Sequence, residues 1–171
     1  MRAFVPMAAM FVGVVYLAAA SIKGADPALF VEQIRGYKIL PEAMAPVAAY
    51  AMVVLEAALG FALLFRAWPR ATIAVAAALT LAFIAATGWA WAHGNASSCG
   101  CFGRLASRGP GSVILEDTGF IVLLAFSFLF SRGVGPRWGR VAFLLLLPLA
   151  CVLPWLGPRL PVDGWVTELR P

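Results

Sequence analysis

The side chains best suited to covalent chemistry are two cysteines one residue apart, in the run Ser97-Ser98-Cys99-Gly100-Cys101-Phe102-Gly103. A disulfide across a single residue closes a small, strained ring. Strain raises the reduction potential, so such a bond exchanges readily and makes a poor staple. Gly100 supplies the backbone freedom that a tight ring needs, and Gly103 loosens the exit from it. His93, Arg104 and Arg108 are near in sequence and would stabilise a thiolate if the loop folded back on itself. Two other readings stay open. A metal site could use Cys99, Cys101 and His93 with Cys151 or a water, although zinc sites usually present two separated ligand pairs and only one is here. A purely structural bridge, or thiols with no redox task, would also fit so short a motif. The third cysteine, Cys151, reads as a small buried hydrophobe, or else as a residue that resolves a mixed disulfide with the pair.

Glu56 interrupts an otherwise apolar stretch, and a carboxylate there is costly unless it is paired or protonated. It could accept a proton during thiol chemistry, make a polar contact to a ligand such as a quinone, or fix helix packing through an interhelical hydrogen bond. Lys23 is its candidate partner, against the alternative that Lys23 snorkels to lipid headgroups.

These residues stand in a chain that is 63% hydrophobic and 12% charged over 171 residues, with a mean hydropathy of +0.91. A globular domain of this size could not hide so much apolar surface, which makes lipid the expected solvent. Lipid leaves only helices or a closed barrel, and continuous Ala/Leu-rich runs without alternation exclude the barrel. Each crossing takes roughly 17 to 25 apolar residues. Four core spans are expected over about residues 4–22, 46–65, 71–92 and 113–130, with Glu116 and Asp117 marking the start of the fourth. A shorter fifth is expected over 141–155. The fold class is therefore all-α, a multi-pass transmembrane bundle. The first run, despite Ala18-Ala19-Ala20, is long for a cleaved leader and reads as a span. Between the first two spans, Asp26 and Pro27 predict a helix start, with Phe30, Ile34 and Tyr37 on one face. Gly36 and Pro41 limit this amphipathic helix, which would lie in the headgroup region.

If the ends alternate sides, one face carries Arg2, Arg66, Arg70, Arg132, Arg137 and Arg140 in short segments without acidic residues. The other carries Lys23, Arg35, Lys38, Arg104, Arg108, Arg159 and Arg170 over longer segments mixed with acids. Higher cationic density puts the first face, with the N-terminus, in the cytoplasm and the cysteine pair outside, where disulfides persist. This distribution accounts for the net charge of +5 without nucleic acid. Trp89, Trp91 and Trp155 on one side, and Trp68 and Trp138 on the other, read as interfacial anchors. The chain contains no soluble catalytic triad, phosphate loop or nucleotide fingerprint.

Lys23, the segment Gly36-Tyr37-Lys38-Ile39-Leu40-Pro41, Glu56 and Cys99-Gly100-Cys101-Phe102-Gly103 together resemble the methylamine-utilisation MauE family, within the DoxX-like small membrane proteins. The five-residue CGCFG is the specific element. The resemblance covers about residues 4–130 and implies a MauE/DoxX-like four-helix membrane domain over 1–131. The fifth span and an extracytoplasmic tail of the same bundle would follow over 132–171. It also implies a bacterial inner-membrane protein that assists maturation of the methylamine dehydrogenase small subunit, a disulfide-rich periplasmic client, alongside a thioredoxin-like partner. The cysteine pair matches the family motif, and Glu56, Lys23 and Tyr37 match its recurring polar positions. On this reading Cys99 or Cys101 attacks and the other resolves, and Gly100, Phe102 and Gly103 support them. A rival reading is a non-catalytic DoxX-like subunit or scaffold that binds a partner or a quinone through Glu56 and the bundle interior.

Overall fold

The computed structural model describes residues 4–95, 109–131 and 134–156. Six α-helices follow one another: α1 (Phe4–Ala25), α2 (Pro27–Gly36), α3 (Ala45–Leu64), α4 (Pro69–Ala92), α5 (Pro110–Phe130) and α6 (Arg137–Leu156). A 3₁₀ turn, Glu42–Met44, precedes α3. Among the described residues, four stretches are long and apolar enough to cross a membrane: Met7–Ala25, Glu42–Leu64, Pro69–Ala92 and Pro110–Phe130.

The apolar runs form helices because every backbone N–H and C=O can be satisfied within the segment, as hydrocarbon surroundings demand. Proline stands at the start of α2, α3, α4 and α5, where its missing N–H costs nothing. Large side chains such as Phe11, Val47, Leu81, Leu115, Leu129 and Leu145 point outward and exposed. Exposure of this kind around a whole molecule makes it an integral membrane protein.

Helices α1 and α3 are antiparallel and closely packed. Gly13 and Leu17 lie against Gly60, and further along Ala20 joins Ala49 and Val53 in one core cluster. A Cβ on Gly60 would come within 2.7 Å of Leu17 Cγ and 2.9 Å of the Gly13 carbonyl oxygen, so glycine is what permits this approach. Helix α5 packs on α4, and α6 runs beside α3. The α6 contacts extend from the Trp138 ring against Phe65 at one end to Ala150 in the cluster with Ala20 and Val53 at the other. Helix α6 therefore spans the length of α3, although it is not among the four stretches that meet the crossing criteria.

The two ends of the bundle differ. One is filled by Ala9, Val12, Leu63, Ile73, Ala76 and Leu124. The other carries α2, whose N-cap Asp26 accepts a hydrogen bond from the Leu29 amide at 3.0 Å. The amphipathic helix expected from the sequence forms, but its apolar face covers the bundle: Phe30 is buried against Ala20, Ala49 and Val53, with Ile34 packed beside it. Arg35 and Glu32 pair on its outer side. The fourth span begins earlier than expected, at Pro110, which places Glu116 and Asp117 inside the helix.

Candidate functional site

Four of the spanning helices contribute to one buried polar site. Lys23 lies in the last turn of α1 and Glu56 in the middle of α3, and they form a direct ion pair. Lys23 is 5% exposed and Glu56 1%. The reach follows from helix geometry. Side chains tilt toward the N-terminus of their own helix, so on antiparallel helices Lys23 leans down into the bundle while Glu56 leans up toward it. Lys23 does not snorkel outward; its ammonium stands 5.0 Å from the ring centroids of both Phe30 and Phe83.

Asp117 completes the set. It falls on the inward face of α5 with Val113, Leu124 and Ser127, and is 7% exposed. Its neighbour Glu116 is exposed and borders the same space. Lys23, Glu56, Glu116 and Asp117 line a cavity of about 40 Å³, walled by Val12, Val15, Ala19, Phe83, Val113 and Phe120. Tyr16 and Thr80 line the same space; the Tyr16 hydroxyl donates to the Ala76 carbonyl at 2.9 Å and lies 2.8 Å from Thr80 Oγ1. Oε2 of Glu56 and Oδ2 of Asp117 are buried without a hydrogen-bond partner among the described residues. Two buried acceptor oxygens thus lie on side chains that line a cavity roomy enough for about two or three waters.

The structure thus brings together Lys23 and Glu56. Tyr37 is the half-buried C-cap of α2 and is not part of the cavity lining. Asp117, Tyr16 and Thr80 were not singled out by the sequence. The signal for Asp117 was its register with Val113, Phe120 and Leu124, whereas adjacency to Glu116 suggested a span boundary. Cys99, Gly100, Cys101, Phe102 and Gly103 lie outside the described residues. Their connection leaves α4 at Ala92 and returns at Pro110, where the Trp91 ring packs over Gly111, so both anchors are held by packed helices. Cys151 is exposed on α6 near exposed Leu149 and Val152, not buried as expected, because no helix among the described residues covers that face of α6. Among the described residues no three metal-ligating side chains converge.

The model of the methylamine utilisation protein MauE family matches residues 1–130. No curated protein and no solved structure matches significantly.

Proposed function

Because the chain belongs to the MauE family of methylamine utilisation proteins, and because its Cys99–Cys101 connection is anchored between two packed membrane helices, we propose that it performs thiol-disulfide exchange in the maturation of an extracytoplasmic protein. The anchoring is the observation that carries the reading. It fixes the two ends of the polar connection that carries the cysteines, at Ala92 and Pro110, on packed helices. The family match over residues 1–130 includes the whole of this loop.

In the exchange, a thiolate of the pair attacks a client disulfide sulfur and displaces the other client sulfur as thiolate. The second cysteine of the pair then attacks the mixed disulfide. The client leaves with two thiols, and the pair is left oxidised as the Cys99–Cys101 disulfide. A thioredoxin-like dithiol on the same side of the membrane reduces the pair again; the reverse sequence would donate a disulfide. The reading places the protein in a bacterial inner membrane with its N-terminus cytoplasmic and the cysteine loop outside. Residues 1–131 form the family domain, and 132–171 add a fifth span and tail.

The test is alkylation of intact cells with a membrane-impermeant maleimide, before and after an external reductant. Labelling of Cys99 and Cys101 from outside, increased by reduction to the extent that the pair rests as its disulfide, is the expected result. Labelling only after permeabilisation would overturn both the orientation and the exchange. Single Cys99→Ser and Cys101→Ser variants should then trap a client as a mixed disulfide.

The buried Lys23–Glu56 pair favours a second reading, a membrane scaffold that uses the bundle interior to hold a protein partner. It separates cleanly from the first. A scaffold keeps methylamine-dependent growth with both cysteines replaced by serine and loses it with Glu56→Gln; an exchanger loses it with either cysteine replaced.

A further inference from the structure

The buried cavity carries an unbalanced set of charges. Facing it are Tyr16 and Lys23 from α1, Glu56 from α3, Thr80 from α4, and Glu116 and Asp117 from α5. Helix α2 offers the Lys23 ammonium only the ring of Phe30. Glu116 is exposed; among the described residues this leaves one cation, Lys23, buried with two carboxyl groups, Glu56 and Asp117. Lys23 binds Oε1 of Glu56, while Oε2 of Glu56 and Oδ2 of Asp117 have no partner among the described residues. An uncompensated charge inside a lipid-embedded bundle is strongly unfavourable, and so is a buried acceptor without a donor. Among the described residues the site is therefore short of one positive charge and of hydrogen-bond donors, and the cavity beside it, about 40 Å³, has room for about two or three waters.

We propose that this cavity is a proton-binding site, in which one proton and bridging water are held between Glu56 and Asp117 opposite Lys23. With that proton bound, the site carries one carboxylate against one ammonium, and both orphaned oxygens gain partners. Access is one-sided. Exposed Glu116 stands at the rim, on the end of the bundle from which the connection 93–109 emerges. On the inner side the Tyr16 hydroxyl is tied to Ala76 and Thr80, and the apolar cluster of Ala9, Val12, Leu63, Ile73 and Leu124 closes the bundle beyond it. Protons thus exchange with the side of the membrane that holds the cysteine loop. The inference does not depend on what the cysteines do.

Infrared spectroscopy of the full chain in lipid nanodiscs at neutral pH tests it. The wild type should show a protonated-carboxyl C=O band that shifts in D₂O. Glu56→Gln or Asp117→Asn each removes one carboxylate, so the remaining one balances Lys23 and the band disappears. Lys23→Met leaves two carboxyl groups without a cation, and the band should grow up to about twofold. A role confined to packing predicts none of these changes. The Cys99→Ser/Cys101→Ser variant should keep the band, so failure here and failure of the exchange reading are told apart. Circular dichroism identifies variants that remain helical, and Lys23→Met and Asp117→Asn give independent readouts should Glu56→Gln not fold. A missing wild-type band, or one unchanged in the folded variants, would overturn the proposal. So would loss of the band on adding sodium or ammonium, which would make a cation the occupant.

Discussion

Glu56 and Lys23 illustrate what a buried pair does to residue-level energetics. Taking both charges out of water roughly cancels their attraction, so the intact pair adds little net stability, whereas removing one partner strands the other. Lys23→Met should therefore cost about 3–5 kcal/mol in detergent unfolding, and the Lys23→Met/Glu56→Met double variant should recover most of it. Equal losses in the single and double variants would mean that the pair is not what holds Glu56. Tyr16 acts on a smaller scale. Its hydroxyl meets the Ala76 carbonyl and Thr80 Oγ1 inside the bundle, and Tyr16→Phe should cost on the order of 1 kcal/mol by the same measurement. The sequence showed at this scale which charges were out of place. It did not show that Lys23 would turn inward, since that follows from the antiparallel tilt of α1 and α3.

At the scale of elements, glycine and caps decide how the helices meet. Gly60 has the Gly13 carbonyl and Leu17 directly over it, so Gly60→Ala forces α1 and α3 apart. The expected loss is about 1–3 kcal/mol in spite of alanine's better helix propensity. Gly119 has open space where a Cβ would go, so Gly119→Ala is the matched control and should be neutral or mildly stabilising. Asp26→Ala removes the hydrogen bond to the Leu29 amide and should cost about 1 kcal/mol. Its effect should be local, read as faster hydrogen exchange in α2 with the spans unchanged. The starts of α2 and α3 were legible from Asp26, Pro27 and Pro46. The start of α5 was not, because Glu116 and Asp117 look like a polar boundary and only the packed helix shows one exposed and the other buried.

For the whole molecule, the outer surface is the determining property. Leu115, Leu129, Leu145 and their neighbours are exposed because lipid takes the place of a further protein layer. Cys151 stands on that surface. In nanodiscs it should resist a charged, water-soluble maleimide and react with an apolar one such as N-ethylmaleimide, which mass mapping of the labelled peptide would detect. Reaction with both reagents at equal rates would place this face of α6 in water.

The sequence by itself determined that the chain is an all-α membrane bundle and which family it joins. Apolar length and the CGCFG run are local properties, and hydrocarbon admits few alternatives to a helix. It also determined the N-cap of α2 and the presence of an anomalous carboxylate at position 56. Only the tertiary structure decided that Lys23 meets Glu56, that Asp117 rather than Glu116 joins them, and that Phe30 closes over the ammonium instead of entering lipid. Each of these depends on the rotation of one helix against another. That rotation is set by many weak contacts, among them the close approach of Gly13 and Gly60, and no single stretch of sequence records their sum.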